Sequence, residues 1–145
     1  MMHYLDTSIL AAYYCPESLS EKVEKFLISA DRSCISSLTE VELASALSRK
    51  IREKNLSSED GNKIFNQFQT HLIKSLYRLI TVEDRHYQTA KNWILQFVVP
   101  LKTLDALHLA IAAECDLTLL TTDKQLVISA GYFGINAVNL ENDEK

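Results

Sequence analysis

The stretch TLDALHLAIAAECDLTLLTTD, residues 103–123, places a helix, a strand and a turn in direct succession. Apolar side chains recur every three or four positions over residues 103–115, which predicts a helix. The buried stripe of that helix is assigned to Leu104, Leu107, Ile111 and Cys115. Residues 117–120 are rich in leucine and lead into a turn that ends at Asp123, so they are predicted to form a buried strand. A helix that leads directly into a buried strand is typical of an α/β fold.

The same alternation of short apolar runs and helical segments extends through the rest of the chain. Further strands are predicted at His3–Leu5, Ser33–Ser36, Tyr77–Val82 and Ala137–Leu140. Helices are predicted over Thr7–Tyr14, Ser18–Ala30, Leu38–Lys54, Ser57–Ser75, Asp84–Phe97 and Lys124–Ala130, the last closed by Gly131. This order predicts a three-layer α/β/α sandwich with a short, mainly parallel central sheet. One domain is expected over residues 1–140, followed by a solvated tail at 141–145.

The two longest of these helices also have predicted buried faces. In the helix over Leu38–Lys54, the apolar stripe is assigned to Val41, Ala44, Leu47 and Ile51. In the helix over Ser57–Ser75, it is assigned to Ile64, Phe68 and Leu72, with Leu76 as their possible extension.

Composition removes several functional classes. The chain has 145 residues, of which three are glycines, and their placement allows neither a dinucleotide fingerprint nor a phosphate-binding P-loop. Its three cysteines are odd in number and far apart, which argues against a disulfide framework or a cysteine-rich zinc site and for a reducing cytoplasm. The N-terminus does not resemble a signal peptide, and no apolar run approaches the roughly 20 residues of a membrane span. We therefore expect a cytoplasmic protein with no membrane partner.

Four carboxylates from remote parts of the chain are predicted to share one edge of the sheet. Asp6 and Asp123 each follow a strand, and Glu42 lies in the first turn of the helix that follows Ser33–Ser36. Asp105 lies in the first turn of the helix that precedes the strand at residues 117–120. That helix must run toward the beginning of the strand, so its own first turn lies at the edge where the strand ends. Because parallel strands end at the same edge, all four acids should lie there, and they would repel one another unless a cation intervened. Mg²⁺ or Mn²⁺ suits such oxygen ligands and promotes phosphodiester hydrolysis.

Each acid also has a purely structural interpretation. Glu42 is spaced from Thr39 as in a capping box, Asp105 could favour a helix dipole, and Asp123 could cap a helix or close a turn. Asp6 is the hardest to explain in this way, because an acid just after a buried strand needs a partner. Their shared edge favours a common functional role over four separate structural ones.

Four motifs resemble those of the PIN-domain family, and within it the VapC-type toxin ribonucleases of toxin–antitoxin pairs. They are YLDTS at residues 4–8, SSLTEVEL at 36–43, LDALHLA at 104–110 and LLTTD at 119–123. The resemblance extends over nearly the whole chain, and Glu42, not Glu40, falls on the metal-site position. One motif alone would be weak, whereas four in this order at these separations are fairly specific.

The resemblance implies a metal-dependent endoribonuclease that hydrolyses RNA with Mg²⁺ or Mn²⁺ at Asp6, Glu42, Asp105 and Asp123. It assigns to Ser8 and Thr122 the orientation of waters or a ligand. It also implies a homodimer and a cognate antitoxin protein that covers the active-site groove. No general-base histidine is required, and His108 is interpreted as a packed or hydrogen-bonded side chain.

The net charge of −4 at first argues against a nucleic-acid substrate, since binding by charge alone would need a basic surface. The excess of four negative charges equals the number of proposed site acids, however, so positive and negative charges balance over the rest of the chain. Lys102 and Lys124 adjoin two of the motifs and are the candidates for RNA phosphate contacts. The basic residues at 49–54 are interpreted as an ordinary solvated helix face.

Three other functions remain to be compared with the nuclease. A binding module for RNA or protein could retain the fold without activity, although its signature would be a missing site acid. A phosphatase of the haloacid dehalogenase type would need a second aspartate where Ser8 stands. A receiver-like signalling domain would need a lysine after a late strand, which has no clear counterpart here.

Overall fold

The computed structural model describes residues 2–15, 17–29 and 32–142. The strands are β1 (His3–Leu5), β2 (Ser33–Ser36), β3 (Tyr77–Ile80), β4 (Thr118–Thr121) and β5 (Ala137–Asn139). The helices are α1 (Thr7–Tyr14), α2 (Ser20–Ser29), α3 (Ser37–Arg52), α4 (Ser58–Ile73), α5 (Asp84–Ile94), α6 (Thr103–Glu114) and α7 (Lys124–Tyr132). A 3₁₀ helix at Leu140–Asn142 follows β5.

The five strands form one sheet in the order β3-β2-β1-β4-β5, and every pair is parallel. Successive residues of β1 point to opposite faces, so Tyr4 packs into one apolar cluster and Leu5 into the other. Helices α1 to α4 cover the face of Leu5, and α5 to α7 cover the face of Tyr4. The predicted α/β/α sandwich is confirmed, with a sheet that is parallel throughout because helices cover both faces.

The predicted buried stripe of α3 is wrong in part. The buried positions are Thr39, Leu43 and Leu47, whereas Val41 is 68% exposed and Ala44 is also exposed. The reason is the way the helix begins: it starts at Ser37, and the Ser36 N–H donates to the Thr39 hydroxyl at 3.2 Å. Thr39 is therefore the third helical residue, facing inward, and the proposed capping box with Glu42 does not form.

The predicted stripe of α4 is confirmed at its centre. Phe68 is fully buried and Ile64 and Leu72 are half-buried, but Leu76 lies beyond the helix and is exposed. In α6, burial extends all round the helix from Ala106 to Ala112, and the predicted stripe residue Leu104 is exposed.

The prediction that Gly131 closes the last helix is wrong. Helix α7 continues through Gly131 to Tyr132, and the residue with a left-handed backbone is Gly134, with φ +73°. Four earlier helices are each followed, two or three positions beyond their last residue, by a left-handed residue that is not glycine, which costs roughly 1–2 kcal/mol each. They are Lys54, Ser75, Phe97 and Asp116, with φ between 54° and 62°.

The C-terminal part of the chain joins the sheet more firmly than a solvated tail would. Leu140 is buried in the core, and Glu141 and Asn142 belong to the same 3₁₀ helix. Residues 143–145 of the predicted tail, like the predicted helix end at Ala30, lie outside the described residues. The division into a domain over 1–140 and a tail stays a prediction. No helix within the described ranges is long and apolar enough to cross a membrane.

Candidate active site

Asp6 lies where β1 ends and caps the N-terminus of α1. Its Oδ1 accepts hydrogen bonds from the Ser8 N–H at 3.0 Å and from the Ser8 hydroxyl at 2.5 Å. Its Oδ2 accepts one from the Thr121 hydroxyl at 2.6 Å. Burial raises the pKa of Asp6, and the hydroxyls of Ser8 and Thr121 oppose that rise. The side chain is only 6% exposed, so these donors hold it in one orientation.

The same hydroxyls connect Asp6 to the segment after β4. Ser8 Oγ accepts a hydrogen bond from the Thr122 N–H, and Thr121 Oγ1 accepts one from the Asp123 N–H, both at 3.1 Å. The ends of β1 and β4 are thereby joined at the point where the strand order reverses, which is where parallel α/β sheets bind ligands. Ser8 and Thr122 do lie at the site, but Ser8 directs its hydroxyl to Asp6 and Thr122 contributes its backbone.

Glu42 projects from the second turn of α3 toward α1 and α6. Its Oε1 accepts hydrogen bonds from the Thr7 hydroxyl at 2.7 Å and from His108 Nε2 at 2.5 Å. Burial alone would raise the pKa of Glu42, but His108 and then Thr7 outweigh it, and the pKa lies below its usual value. Glu42 is therefore ionised at neutral pH.

Asp105 differs from the other acids because its carboxylate accepts no hydrogen bond from any side chain or backbone group that the structure describes. It lies half-buried in the first turn of α6. Its pKa is raised by burial and then by the charges of Asp123, Asp6 and Glu42, while His108 opposes the rise. The structure thus brings all four predicted acids into one electrostatic environment.

Asp123 is a helix cap, one of the structural roles that the sequence left open. Its Oδ1 caps α7 by accepting hydrogen bonds from the backbone of Gln125 and Leu126, at 2.9 and 3.3 Å. The side chain is exposed, and its charge contributes to the raised pKa of Asp105. Helix capping and membership of the acidic group are therefore compatible.

The acidic group suits a hard divalent cation by its chemistry, since all its donors are carboxylate oxygens. Within residues 2–15, 17–29 and 32–142, no three acidic, histidine or cysteine side chains converge on one point. An ion that keeps several of its waters needs only one or two direct protein ligands, so this arrangement fits Mg²⁺ better than a closed all-protein cage. Among the four acids, Asp105 is the one whose carboxylate accepts no hydrogen bond from the residues that the structure describes.

Several cations lie around this edge of the sheet. Lys102 precedes α6 and Lys124 begins α7, and both side chains are exposed. Arg49, which the sequence assigned to a solvated face, lines a groove of about 530 Å³ that Glu42 and the apolar side chains of Val41 and Leu104 also line. The groove beside Glu42 is thus apolar along part of its wall and basic at Arg49.

The PIN domain family profile matches residues 3–130, which is most of the chain. The chain belongs to the PIN domain family. No curated protein sequence matches this PIN domain.

Solved structures share this fold over most of their length. FitAcB from Neisseria gonorrhoeae has a TM-score of 0.76 at 18% identity, with 98% of this chain and 99% of that chain covered. VapC20 from Mycobacterium tuberculosis, described as a sarcin-ricin loop cleaving toxin, has a TM-score of 0.71 at 13% identity, covering 89% and 95%. VapBC2 from Rickettsia felis, bound to a DNA fragment from its promoter, has a TM-score of 0.66 at 18% identity, covering 95% and 98%.

Sequence reasoning missed the residues of this PIN domain that orient its acids. Thr121 was assigned only to a turn, Thr7 only to a helix, and Tyr4 only to a strand. The one available signal was the accumulation of hydroxyl residues next to each acid, in YLDTS and LLTTD. A hydroxyl beside a buried carboxylate is the simplest donor that can satisfy it.

Replacing Thr121 with valine tests the connection between β1 and β4. The change keeps the shape of the side chain but removes the donor to Asp6 Oδ2 and the acceptor for the Asp123 N–H. We expect the free energy of unfolding to fall by about 1–3 kcal/mol, because a buried carboxylate oxygen loses its donor. Urea denaturation followed by circular dichroism measures it.

The matched control is Thr122→Val, one residue further along. Its hydroxyl donates no hydrogen bond to the described residues, and its N–H is kept by the substitution. We expect a change within about 0.5 kcal/mol. Equal losses in the two variants would show that Thr121 does not hold Asp6.

Proposed function

We propose that this PIN domain is a metal-dependent endoribonuclease that hydrolyses RNA phosphodiesters, and that it is the toxin of a toxin–antitoxin pair. The observation that supports this most strongly is Asp105, whose carboxylate accepts no hydrogen bond from the described residues and whose pKa is raised by burial and by three neighbouring acids. A fold gains nothing in stability from such a group, whereas a divalent cation would relieve the repulsion. Membership of a nuclease family is consistent with this interpretation.

The roles of the residues follow from their contacts. Asp6 is held rigid by Ser8 and Thr121, and Glu42 is held ionised by Thr7 and His108. A bound Mg²⁺ or Mn²⁺ would supply charge neutralisation and the activation of water for attack on phosphorus. Asp6, Glu42, Asp105 and Asp123 would hold the ion directly or through water. Lys102 and Lys124 contact RNA phosphates on either side of the acids.

The proposed partners are a second copy of the chain and a cognate antitoxin. The groove beside Glu42 supports the antitoxin, since Leu38, Val41 and Leu104 give it apolar walls next to that acid. A protein segment that covered these side chains would also block RNA. One of the solved structures with the same fold is described as a toxin–antitoxin complex, from Klebsiella pneumoniae.

Expression in a bacterial host tests the proposal as a whole. We expect induction of the chain alone to arrest growth, and sequencing of RNA 5′ ends to show new cleavage sites. Both effects should disappear when the adjacent reading frame is induced together with it. They should also disappear in the variant Asp6→Asn.

Two outcomes would point to a different function. Growth arrest that persists in Asp6→Asn without new RNA ends would contradict a nuclease. Absence of both arrest and Mn²⁺ binding would favour the alternative of a catalytically silent module that binds RNA or protein. Titration of the purified protein with Mn²⁺ from micromolar to millimolar concentrations distinguishes these cases.

A further inference from the structure

We infer that His108 is a positioning residue: it donates its Nε2–H to Glu42 and is itself held in place by the hydroxyl of Tyr4. This inference rests on the proposed function, because it concerns the orientation of one proposed metal ligand. His108 Nε2 lies 2.5 Å from Glu42 Oε1, and His108 Nδ1 lies 2.6 Å from the Tyr4 hydroxyl oxygen. The imidazole thus connects a site acid to the interior of the sheet.

The direction of the key hydrogen bond follows from counting protons. An ionised Glu42 can only accept, so Nε2 of His108 must carry the proton between them. Tyr4 has one hydroxyl proton, and its oxygen contacts both His108 Nδ1 and Ser36 Oγ, the latter at 2.8 Å. Whichever neighbour receives the Tyr4 proton, the Nε2–H of His108 still points at Glu42.

The surroundings make this arrangement rigid. His108 is 2% exposed, and Tyr4, Ser36 and Thr39 are fully buried. The rings of Tyr4 and His108 pack with their centroids 5.5 Å apart. A buried imidazole with partners on both nitrogens cannot rotate without breaking a hydrogen bond.

Glu42 depends on partners from other elements because it lies within helix α3, whereas Asp6 and Asp123 directly follow the ends of strands. Two donors converge on the same oxygen, Oε1, and both come from other helices: Thr7 from α1 and His108 from α6. Oε2 accepts no hydrogen bond from the described residues and is left for an ion or its water. Outer partners of metal ligands commonly change affinity by roughly 10–100-fold.

The first experiment locates the ring proton in the metal-free protein. Nitrogen-15 NMR of the histidine side chains should show a proton on His108 Nε2 in the wild type. In Glu42→Ala that proton should exchange faster with water, since its acceptor is gone. A wild-type ring that carries its only proton on Nδ1 would overturn the inference.

The second experiment measures Mn²⁺ affinity by calorimetry. We expect His108→Phe, which keeps a ring but has no donor, to weaken binding by roughly 10–100-fold. His108→Gln retains an N–H donor and should recover part of the affinity. Tyr4→Phe should weaken Mn²⁺ binding by about tenfold, the lower end of the same range. This variant replaces His108→Phe as the test if His108→Phe does not fold.

The matched control is His86→Phe. His86 is another buried histidine, 1% exposed, on α5, where its Nδ1 accepts a hydrogen bond from the Glu83 N–H. It contacts none of the four site acids, so Mn²⁺ affinity should stay within about twofold of the wild type. Wild-type binding that survives His108→Phe, or that falls equally in His86→Phe, would refute the inference alone. A wild type that binds no Mn²⁺ would refute the proposed function together with it.

Discussion

RNA cleavage by Asp105→Asn should fall by more than about a hundredfold, beyond the largest loss expected for an outer partner of a metal ligand. The substitution removes the one site acid that has no hydrogen-bond partner in the described structure, and so the acid most available to a cation. The amide is nearly the same shape, so the fold and the other three acids keep their positions. Cleavage of a fluorescent single-stranded RNA with Mg²⁺ or Mn²⁺ measures the effect.

The same variant should be at least as stable as the wild type when no metal is present. The pKa of Asp105 is raised above its ordinary value of 3.8, so its contribution to stability is complete below about pH 4 and is lost as the pH rises through the folded pKa. An asparagine at position 105 does not titrate, so its contribution to stability does not fall as the pH rises. The difference in unfolding free energy between variant and wild type should therefore be small at low pH and increase in favour of the variant toward neutrality.

Asp84→Asn is the matched control for both measurements. Asp84 also lies in the first turn of a helix, α5, but is exposed and away from the acidic group. We expect its cleavage rate to match the wild type. Loss of activity in Asp105→Asn together with loss of stability would indicate a structural role, and full activity would refute the proposed mechanism.

Phe68→Ala should lower the free energy of unfolding by about 3–5 kcal/mol, a large part of the roughly 5–15 kcal/mol typical of a domain. Phe68 is fully buried on α4, where its ring packs on Tyr14, Phe65 and Tyr77 with centroids 5.6–6.1 Å apart. The cavity would also loosen the hydrogen bond of 2.7 Å between the hydroxyls of Tyr14 and Tyr77. Urea denaturation followed by circular dichroism measures the loss.

Phe97→Ala makes the same chemical change at a surface position. Phe97 is 81% exposed in the connection between α5 and α6, so its removal should alter stability by less than about 0.5 kcal/mol. Comparable losses in the two variants would show that Phe68 is not a core residue of α4. If the free energy of unfolding falls by less than about 1 kcal/mol in Phe68→Ala, α4 must shift to fill the cavity that the ring leaves.

The sequence predicts the strands, and the position of the four acids at one edge of the sheet, because both depend on order along the chain. A strand that ends at Leu5 and another that ends at Thr121 must bring Asp6 and Asp123 to one edge once the sheet is parallel. No side-chain geometry is needed for that conclusion. The placement of Glu42 and Asp105 follows in the same way from the direction of their helices.

The sequence fails where contacts between distant residues decide the outcome. Thr121 is 115 positions from Asp6, and His108 is 104 positions from Tyr4, so no local pattern links them. The exposed Val41 reflects a helix phase set by the Ser36–Thr39 contact, which apolar spacing does not reveal. The left-handed helix ends at residues such as Asp116 lack the glycine that usually signals them.

The strand order has a consequence for synthesis on the ribosome. Strand β1 is made first but lies at the centre of the sheet, and its neighbour β4 is completed only at Thr121. Until then Asp6 lacks the hydroxyl that donates to its Oδ2, and the acid at position 123 does not yet exist. A nascent chain or a fragment that stops short of β4 therefore carries no assembled site. The order of translation thus delays the assembly of the acidic group until β4 and the turn that follows it have been made.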